Sequence, residues 1–450
     1  MQLQAIKHVY FVGVGGIGMS ALARYFVMRG CLVKGYDKTR TALCAALEAE
    51  GIAISYQDTV ESIPAAFLKP DDNTLIVYTP AIPKNSGILN HFSNAGFKMY
   101  KRSEVLGIIS EGQFCIAVAG THGKTTTSAM IAHILKETGH DCTAFLGGIA
   151  SNYNSNFISG RNNVVVVEAD EYDRSFLTLH PDIAVITSMD ADHLDIYGDA
   201  DQLTESFRLF AGQVKPGGEL YVKSGLSLAS ENAYGIDNAG GISAIKVGVE
   251  AGHFMFDYQS KANYIAGISM LLPGRHNIEN ALAAISVALQ LGIEPLAIKK
   301  ALENFKGVKR RFEYVVRKPE VVYIDDYAHH PEELKACFAA VRELYPGRKL
   351  TVIFQPHLFT RTRDFADGFA AVLSTVDDLV LLDIYPAREL PIAGVTAEFL
   401  LDKITLQDKK ILNKSQVTGY IEAKYPSLLL TVGAGDIDTL VGPLKAIYHA

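Results

Sequence analysis

The sequence predicts an α/β protein of about three domains with mostly parallel sheets. Strand-like and helix-like stretches alternate along almost the whole chain, the pattern that produces parallel strands covered by helices. Val164–Val167 is apolar at every position and Ile183–Thr187 nearly so, as strands buried on both faces must be. The 450 residues suit three domains at roughly 150 residues each.

The first domain opens with a strand at His8–Val14 and a helix at Ile17–Arg29. Met19, Leu22, Ala23, Phe26 and Val27 share one face of that helix, and Gly30 is placed for its C-cap. Strands Leu32–Tyr36 and Thr74–Tyr78 follow, running into Asp37 and Thr79. Gly13-Val14-Gly15-Gly16-Ile17-Gly18 fits G-x-G-x-x-G between a strand and a helix, and Asp37 lies 19 residues past Gly18. Bare glycines let the backbone approach a pyrophosphate, and the helix N-terminus adds about 0.3–1 kcal/mol of attraction at exposed sites. The loop therefore signals a diphosphate. A nicotinamide dinucleotide and a UDP-sugar both carry one, and a tight turn with no ligand is the bland alternative.

The second domain starts with strand Cys115–Ala119 and the loop Gly120-Thr121-His122-Gly123-Lys124-Thr125-Thr126, which opens a helix. This is a P-loop with two residues, not four, between its first Gly and the Gly-Lys pair. Its mechanics survive: backbone N–H groups wrap phosphate oxygens, Lys124 reaches the terminal phosphates and the Thr125 hydroxyl suits Mg²⁺. Glu168 ends the next apolar strand, where a carboxylate suits a hard cation shared with phosphate. Asp170, Glu171 and Asp173, taken singly, read as solvated loop residues. His193 follows the strand Ile183–Thr187 among acids, opposite the P-loop, and reads as functional where a lone His elsewhere would not. The glycine-rich stretch from Gly217 to Gly274 predicts an antiparallel lobe, and a helix at Asn277–Leu291 closes the domain.

The third domain follows Lys309-Arg310-Arg311. Its apolar strands are Val321–Ile324, Leu350–Phe354, Leu379–Leu382 and Leu428–Val432, each running into polar or glycine-bearing sequence. Ligands of open α/β sheets bind beyond the carboxyl ends of strands, so these loops form one working edge.

Net charge is −7, which argues against a protein whose task is to grip nucleic acid. No run of 18 apolar residues exists to insert into a membrane, the N-terminus lacks a signal-peptide pattern, and five scattered cysteines suit a reducing, cytoplasmic setting.

The chain resembles the Mur ligases. The motifs are GTHGKTT (Gly120–Thr126), EADEYD (Glu168–Asp173), DHLD (Asp192–Asp195), GRHNIEN (Gly274–Asn280), KRRFE (Lys309–Glu313) and DDYAHHP (Asp325–Pro331), in the family's order across the whole chain. The resemblance implies a Rossmann-like N-terminal domain over 1–107, a central P-loop ATPase-like domain over 108–309 and a Rossmann-like C-terminal domain over 310–450. It implies an ATP-dependent ligase of peptidoglycan precursor synthesis that uses Mg²⁺ or Mn²⁺ and works as a monomer or homodimer. GVGGIGMS, AHHP and FQPHLFTRT point to UDP-N-acetylmuramate and L-alanine as the molecules joined; ligation of a recycled murein tripeptide is the alternative within the family, and an NAD-dependent oxidoreductase the alternative outside it.

The resemblance also implies roles. Gly15, Gly16, Ile17 and Gly18, with Asp37, Thr79 and Arg102, would hold the UDP-sugar. Gly120, Thr121, His122, Gly123, Lys124, Thr125, Thr126, His276, Asn280, Arg311 and Asp326 would meet ATP, and Thr125, Glu168 and His193 the metal. Tyr327, His329, His357 and Arg361 would position alanine, and His193 or His329 would be the general base. Two departures stand out: Leu358 occupies a place where related ligases carry Arg, leaving more of the carboxylate clamp to Arg361. The region Ser206–Leu209 offers Arg208 and no lysine, so no carbamylated lysine is expected.

Overall fold

Apolar strands set the frame. The computed structural model describes residues 3–190, 197, 199–387 and 389–449. Among these the strands form sheets of five, ten and six, and the chain divides into two compact units. The first comprises 1–245, 257–268 and 279–306; the second comprises 246–256, 269–278 and 307–450.

In the first unit, β1 (His8–Val12), α1 (Ile17–Met28), β2 (Leu32–Tyr36), α2 (Ala42–Ala49), β3 (Ala53–Ser55), β4 (Thr74–Tyr78), α3 (Gly87–Asn94), β5 (Met99–Lys101) and α4 (Arg102–Glu111) follow in order. The parallel sheet has the order β3-β2-β1-β4-β5. The chain steps from β1 to β2 and β3 on one side, then to β4 and β5 on the other. A crevice therefore opens at the carboxyl end of β1, where the glycine loop lies. β1 ends two residues earlier than the predicted His8–Val14, because Gly13 leaves the extended region at φ +93°. α1 closes as its sequence predicts: Gly30 sits at φ +80° and donates to the Val27 carbonyl, while Cys31 donates to that of Phe26.

The second sheet begins with β6 (Phe114–Ala119), α5 (Lys124–Glu137), β7 (Thr143–Ala150), β8 (Ser155–Ile158), β9 (Val164–Glu168) and β10 (Ile183–Ile186). β11 (Glu219–Lys223), β12 (Asn232–Ile236), β13 (Ile242–Glu250), β14 (His253–Gln259) and β15 (Tyr264–Met270) complete it. β6 lies between β10 and β9, parallel to both, so the P-loop emerges flanked by the carboxyl ends of two neighbours. The predicted antiparallel lobe needs correction at its inner edge, where β12 pairs parallel with both β11 and β13. The chain steps sideways there instead of reversing. Asp237 turns at φ +51° and Asn238 donates to the carbonyls of Ala233 and Ile242.

These two sheets share one hydrophobic core. Tyr25 of α1 packs tilted against Phe145 and edge-on to Phe157, at ring separations of 5.5 and 6.4 Å. Such aromatic pairs are each worth about 0.5–1.5 kcal/mol beyond buried area. The fully buried Asn156 donates to Ser20 Oγ and accepts from the Arg24 guanidinium. α4 runs through position 107, where a Cβ would stand 2.7 Å from the Thr178 carbonyl oxygen.

The second unit holds β16 (Glu313–Arg317), β17 (Val322–Asp326), β18 (Thr351–Phe354), β19 (Asp378–Leu381), β20 (Lys409–Ile411) and β21 (Leu428–Val432) in the order β16-β17-β21-β18-β19-β20. The four fully buried strands are those the apolar runs predict. β16, a half-buried antiparallel edge, and the three-residue β20 escape that pattern.

Candidate active site

The P-loop folds as its glycines require. Gly120 takes φ +138°, and a Cβ on it would meet Thr187 Oγ1 at 2.2 Å; Gly123 takes φ +83° and would collide with Asn280 Oδ1 at 2.7 Å. Lys124 is the first residue of α5 and its ammonium turns back over the loop. It donates to the Gly120 carbonyl (2.6 Å) and pairs with Glu171 at 2.7 Å. Burial alone would lower the Lys124 pKa, but Glu171, Asp170 and Glu168 outweigh it and hold the ammonium above its ordinary range. The amides of Thr121 and His122 donate to the carbonyl and hydroxyl of Ser188, and the Thr121 hydroxyl meets the same hydroxyl at 2.9 Å. Ser188, beyond the end of β10, thus anchors the rear of the loop. The amides of Lys124, Thr125 and Thr126, in the first turn of α5, have no acceptor within the helix, the arrangement that suits an anion at a helix N-terminus.

Glu171 corrects the sequence reading, which treated it as a solvated loop acid. Its side chain is 1% exposed and its carboxylate faces Lys124. The backbone makes this possible: Asp173 and Arg174 turn through positive φ, Phe176 donates to the Asp170 carbonyl, and the Tyr197 hydroxyl donates to that of Glu171. Burial and the nearby Asp170 push the Glu171 carboxyl up, against the pull of Lys124.

Thr125 and Glu168 come together as expected, with the hydroxyl donating to Glu168 Oε1 at 3.0 Å. Glu168 Oε2 accepts from the Gly147 amide at 2.8 Å, and a Cβ at Gly147 would lie 2.4 Å from the same carboxylate. His193, with the rest of 191–196, lies outside the described residues.

At the first loop, each expected neighbour lies beside a glycine. Thr79 lies against Gly13, Asp37 and Cys44 against Gly15, and the Arg102 guanidinium against Gly18, 2.6 Å from where a Cβ would stand. Asp37 braces the loop itself, accepting from the amides of Gly15 (2.8 Å) and Thr39 (3.1 Å). Arg102 also donates to Asp170 at 3.1 Å. Gly16 is the N-cap of α1, so Ile17 and Gly18 present first-turn amides.

His276 and Asn280 stand four residues apart on one face of the helix Arg275–Gln290. Asn280 is the residue set against Gly123; His276 folds over Gly274.

In the second unit, Asp326 serves as a brace. Its carboxylate accepts from the amides of Phe312 and Ala328, both at 2.7 Å, and burial pushes its pKa up to about 6 even with Arg311 nearby. The chain enters this edge through Arg310 and Phe312, both at positive φ, with Arg310 tied to Asp325 and the Gly433 carbonyl. Arg310 and Arg311 both lie over the Tyr327 ring, at 5.2 and 5.1 Å. The four residues expected around the amino acid meet. Tyr327 packs on His329, His329 on His357, and Arg361 Nη1 reaches His357 Nδ1 at 3.3 Å. His329 Nδ1 lies 3.0 Å from the Tyr327 carbonyl and 3.3 Å from Glu333. Two residues that the sequence reading missed, Tyr385 and Glu389, reach this group from the loop after β19. Tyr385 stacks on His357, and Glu389 accepts from the amides of Phe359 and Thr360. The only sequence signal for them was their place at the end of a buried strand.

Known proteins are similar to this chain along most of its length. Family models match three stretches: the Mur ligase family catalytic domain over residues 8–113, the Mur ligase middle domain over 118–288 and the Mur ligase glutamate ligase domain over 310–437. A UDP-N-acetylmuramate–L-alanine ligase of Christiangramia forsetii is 50% identical over 448 residues, covering 99% of each chain. One from Flavobacterium psychrophilum is 50% identical over 445 residues, again with 99% of each covered. Among solved structures, a UDP-N-acetylmuramate–alanine ligase of Thermotoga maritima superposes with a TM-score of 0.84 at 27% identity, covering 98% of this chain and 99% of that one.

Proposed function

This chain belongs to the Mur ligase family, and from that premise we propose that it joins the lactyl carboxylate of UDP-N-acetylmuramate to L-alanine in peptidoglycan precursor synthesis, using ATP. Near-full-length relatives at 50% identity carry that activity in their names, which favours alanine over a murein tripeptide as the acceptor. In this reading 1–107 takes the UDP-sugar, 108–309 takes ATP and 310–450 takes the amino acid. Both oxygens of Asp37 are engaged by loop amides. Those two bonds leave acceptor sites on both oxygens, so Asp37 does not decide the matter; what tells against the oxidoreductase reading is that it has no use for the P-loop.

The observation that carries the proposal is Lys124 held between Gly120 and Glu171 at the head of α5, with Thr125 on Glu168 beside it. A carboxylate resists attack by an amine because its leaving group is an oxide. Moving the γ-phosphoryl of ATP onto it makes the leaving group phosphate. Such transfer needs positioning and neutralised charge more than covalent help. The first-turn amides and Lys124 hold the phosphates, and Glu171 and Gly120 fix the ammonium where the terminal phosphate arrives. The alanine amine then displaces phosphate, and Lys124 stabilises the oxyanion that forms. The hydroxyl of Thr125 and the carboxylate of Glu168 are hard oxygen donors at one point that would hold Mg²⁺, and the family resemblance adds His193 as a further ligand. When bound, that ion neutralises charge on the transferred phosphoryl group. Arg361 and His357 receive the alanine carboxylate. Among the described residues no helix is long and apolar enough to cross a membrane, in keeping with soluble substrates.

The test is phosphate release from ATP with UDP-N-acetylmuramate, with and without L-alanine. Stoichiometric release is expected only with all three. Lys124→Ala should abolish turnover while UDP-sugar binding persists. Release indifferent to L-alanine would overturn the assignment.

A further inference from the structure

We propose that Tyr385 and Glu389 are positioning residues for the amino-acid acceptor, holding the turn that aims His357 and Arg361. The inference rests on the second unit taking the amino acid, as proposed above.

The turn from His357 to Arg361 is not one the chain adopts unaided. Leu358 sits at φ +71°, a region that side chains disfavour. Such a backbone persists where its surroundings over-determine it, and here one loop does so from three directions. The Leu358 amide donates to the Tyr385 carbonyl at 2.9 Å, and the Tyr385 amide donates back to that of Pro356 at 2.8 Å. The Tyr385 ring lies nearly parallel to the His357 imidazole, 15° between planes and 5.8 Å between centres. Gly435 leaves room for that ring, since a Cβ there would stand 2.7 Å from Tyr385 Cγ.

Glu389 fixes the other end. Its Oε2 accepts from the amides of Phe359 (2.6 Å) and Thr360 (3.0 Å), and Oε1 accepts from the Thr360 hydroxyl. This caps the helix Phe359–Asp364, which carries Arg361 at 6% exposure. A planar guanidinium binds a carboxylate through paired, directional bonds, so its orientation matters as much as its charge. With Leu358 supplying no second cation, that orientation falls to the Glu389 cap and the Tyr385 stack. Neither residue needs to touch the acceptor.

Steady-state kinetics on the full-length enzyme test this, with each substrate varied in turn. Glu389→Ala and Tyr385→Ala should each raise KM for L-alanine about tenfold or more, as small displacements of a positioning group do. kcat at saturating alanine, and KM for ATP and for UDP-N-acetylmuramate, should change by no more than about threefold on the same reasoning. Glu389→Gln retains an acceptor oxygen and Tyr385→Phe retains the ring; both should recover most of the wild-type alanine KM, and they carry the test if an alanine variant fails to fold. An unchanged alanine KM in folded Glu389→Ala and Tyr385→Ala would overturn the proposal. So would a parallel rise in all three KM values, or a Tyr385→Phe variant as impaired as Tyr385→Ala. Failure of the underlying assignment would look different: wild-type phosphate release would not depend on L-alanine at all.

Discussion

Breaking the Lys124–Glu171 pair measures how firmly the phosphate loop is held. The two charges lie 2.7 Å apart with side chains 13% and 1% exposed. At an effective dielectric constant near 20, their gross attraction is about 6 kcal/mol. Desolvation consumes much of it, and removing one partner from such a pair costs about 3–5 kcal/mol. Asp170 and Glu168 still act on Lys124 when Glu171 is neutral, which places Glu171→Gln near the low end, about 3 kcal/mol. Lys124→Met strands Glu171 beside Asp170; burial already pushes that carboxyl up, so it takes a proton and limits the loss. The double variant should therefore be less damaged than the two single losses together, by about 2 kcal/mol. Native-state hydrogen exchange at the amides of α5 reports opening of this element alone, so the whole chain need not unfold in one step. A loss of about 3 kcal/mol appears as exchange roughly 150-fold faster. Additive losses within about 0.5 kcal/mol would show that the pair is an incidental contact and refute the reasoning.

Three further outcomes follow from the site. Gly147→Ala places a methyl 2.4 Å from the Glu168 carboxylate and should raise the Mg²⁺ needed for half-maximal phosphate release about tenfold; Gly112→Ala, with open space around it, should be silent, and equal Mg²⁺ dependence in both would remove Glu168 from its role. Asp326 has its folded pKa raised from 3.8 to about 6, so its favourable contribution is present below pH 3.8 and lost as pH rises through 6. Denaturant unfolding should therefore show the wild type losing about 2 kcal/mol relative to Asp326→Asn between pH 4.5 and 7, and parallel pH profiles would contradict this. Arg102→Ala removes the guanidinium against Gly18 and should weaken UDP-N-acetylmuramate about 10- to 100-fold by calorimetry while leaving nucleotide affinity alone; an unchanged constant would place the diphosphate elsewhere.

What the sequence disclosed depended on how local the determining physics is. Strands β4 and β21 fall where their apolar runs place them, because burial on both faces selects a nearly continuous apolar run, with the threonine in each as the polar exception. Both glycine loops were legible because their geometry is written within a few residues, and Gly13, Gly120 and Gly123 do adopt the positive φ those motifs exist to permit. Glu171 was not, because EADEYD holds four acids in six residues and only the tertiary turn at Asp173–Arg174 decides which one points inward. Asp37 was placed beside the right loop, but its two amide bonds, which make it a brace, come from backbone directions that spacing does not encode. Tyr385 and Glu389 belong to no motif. They matter because β19 lies next to β18 in the sheet, and strand order is the feature that a single sequence specifies least.

The acidic motif after β9 shows how one strand end serves two loops on different sheets. Consecutive side chains diverge there: Asp170 meets Arg102, which lies on Gly18 of the first loop, and Glu171 meets Lys124 of the second. A flexible linker between the sheets would let these contacts come and go, so the distance between the two loops, and on the proposed assignment between the sugar's diphosphate and the nucleotide, would not be defined. The shared core removes that freedom. Tyr25, Phe145 and Phe157 interlock, Asn156 is buried among groups of α1, and Gly107 brings α4 against the backbone of Thr178. Close-packed interiors resist small displacements, so on the proposed assignment of the two loops the spacing between acid and phosphoryl donor is set by packing before either substrate arrives. Transfer through an acyl phosphate gains most from that kind of prior order, because its rate depends on in-line placement more than on any reactive side chain.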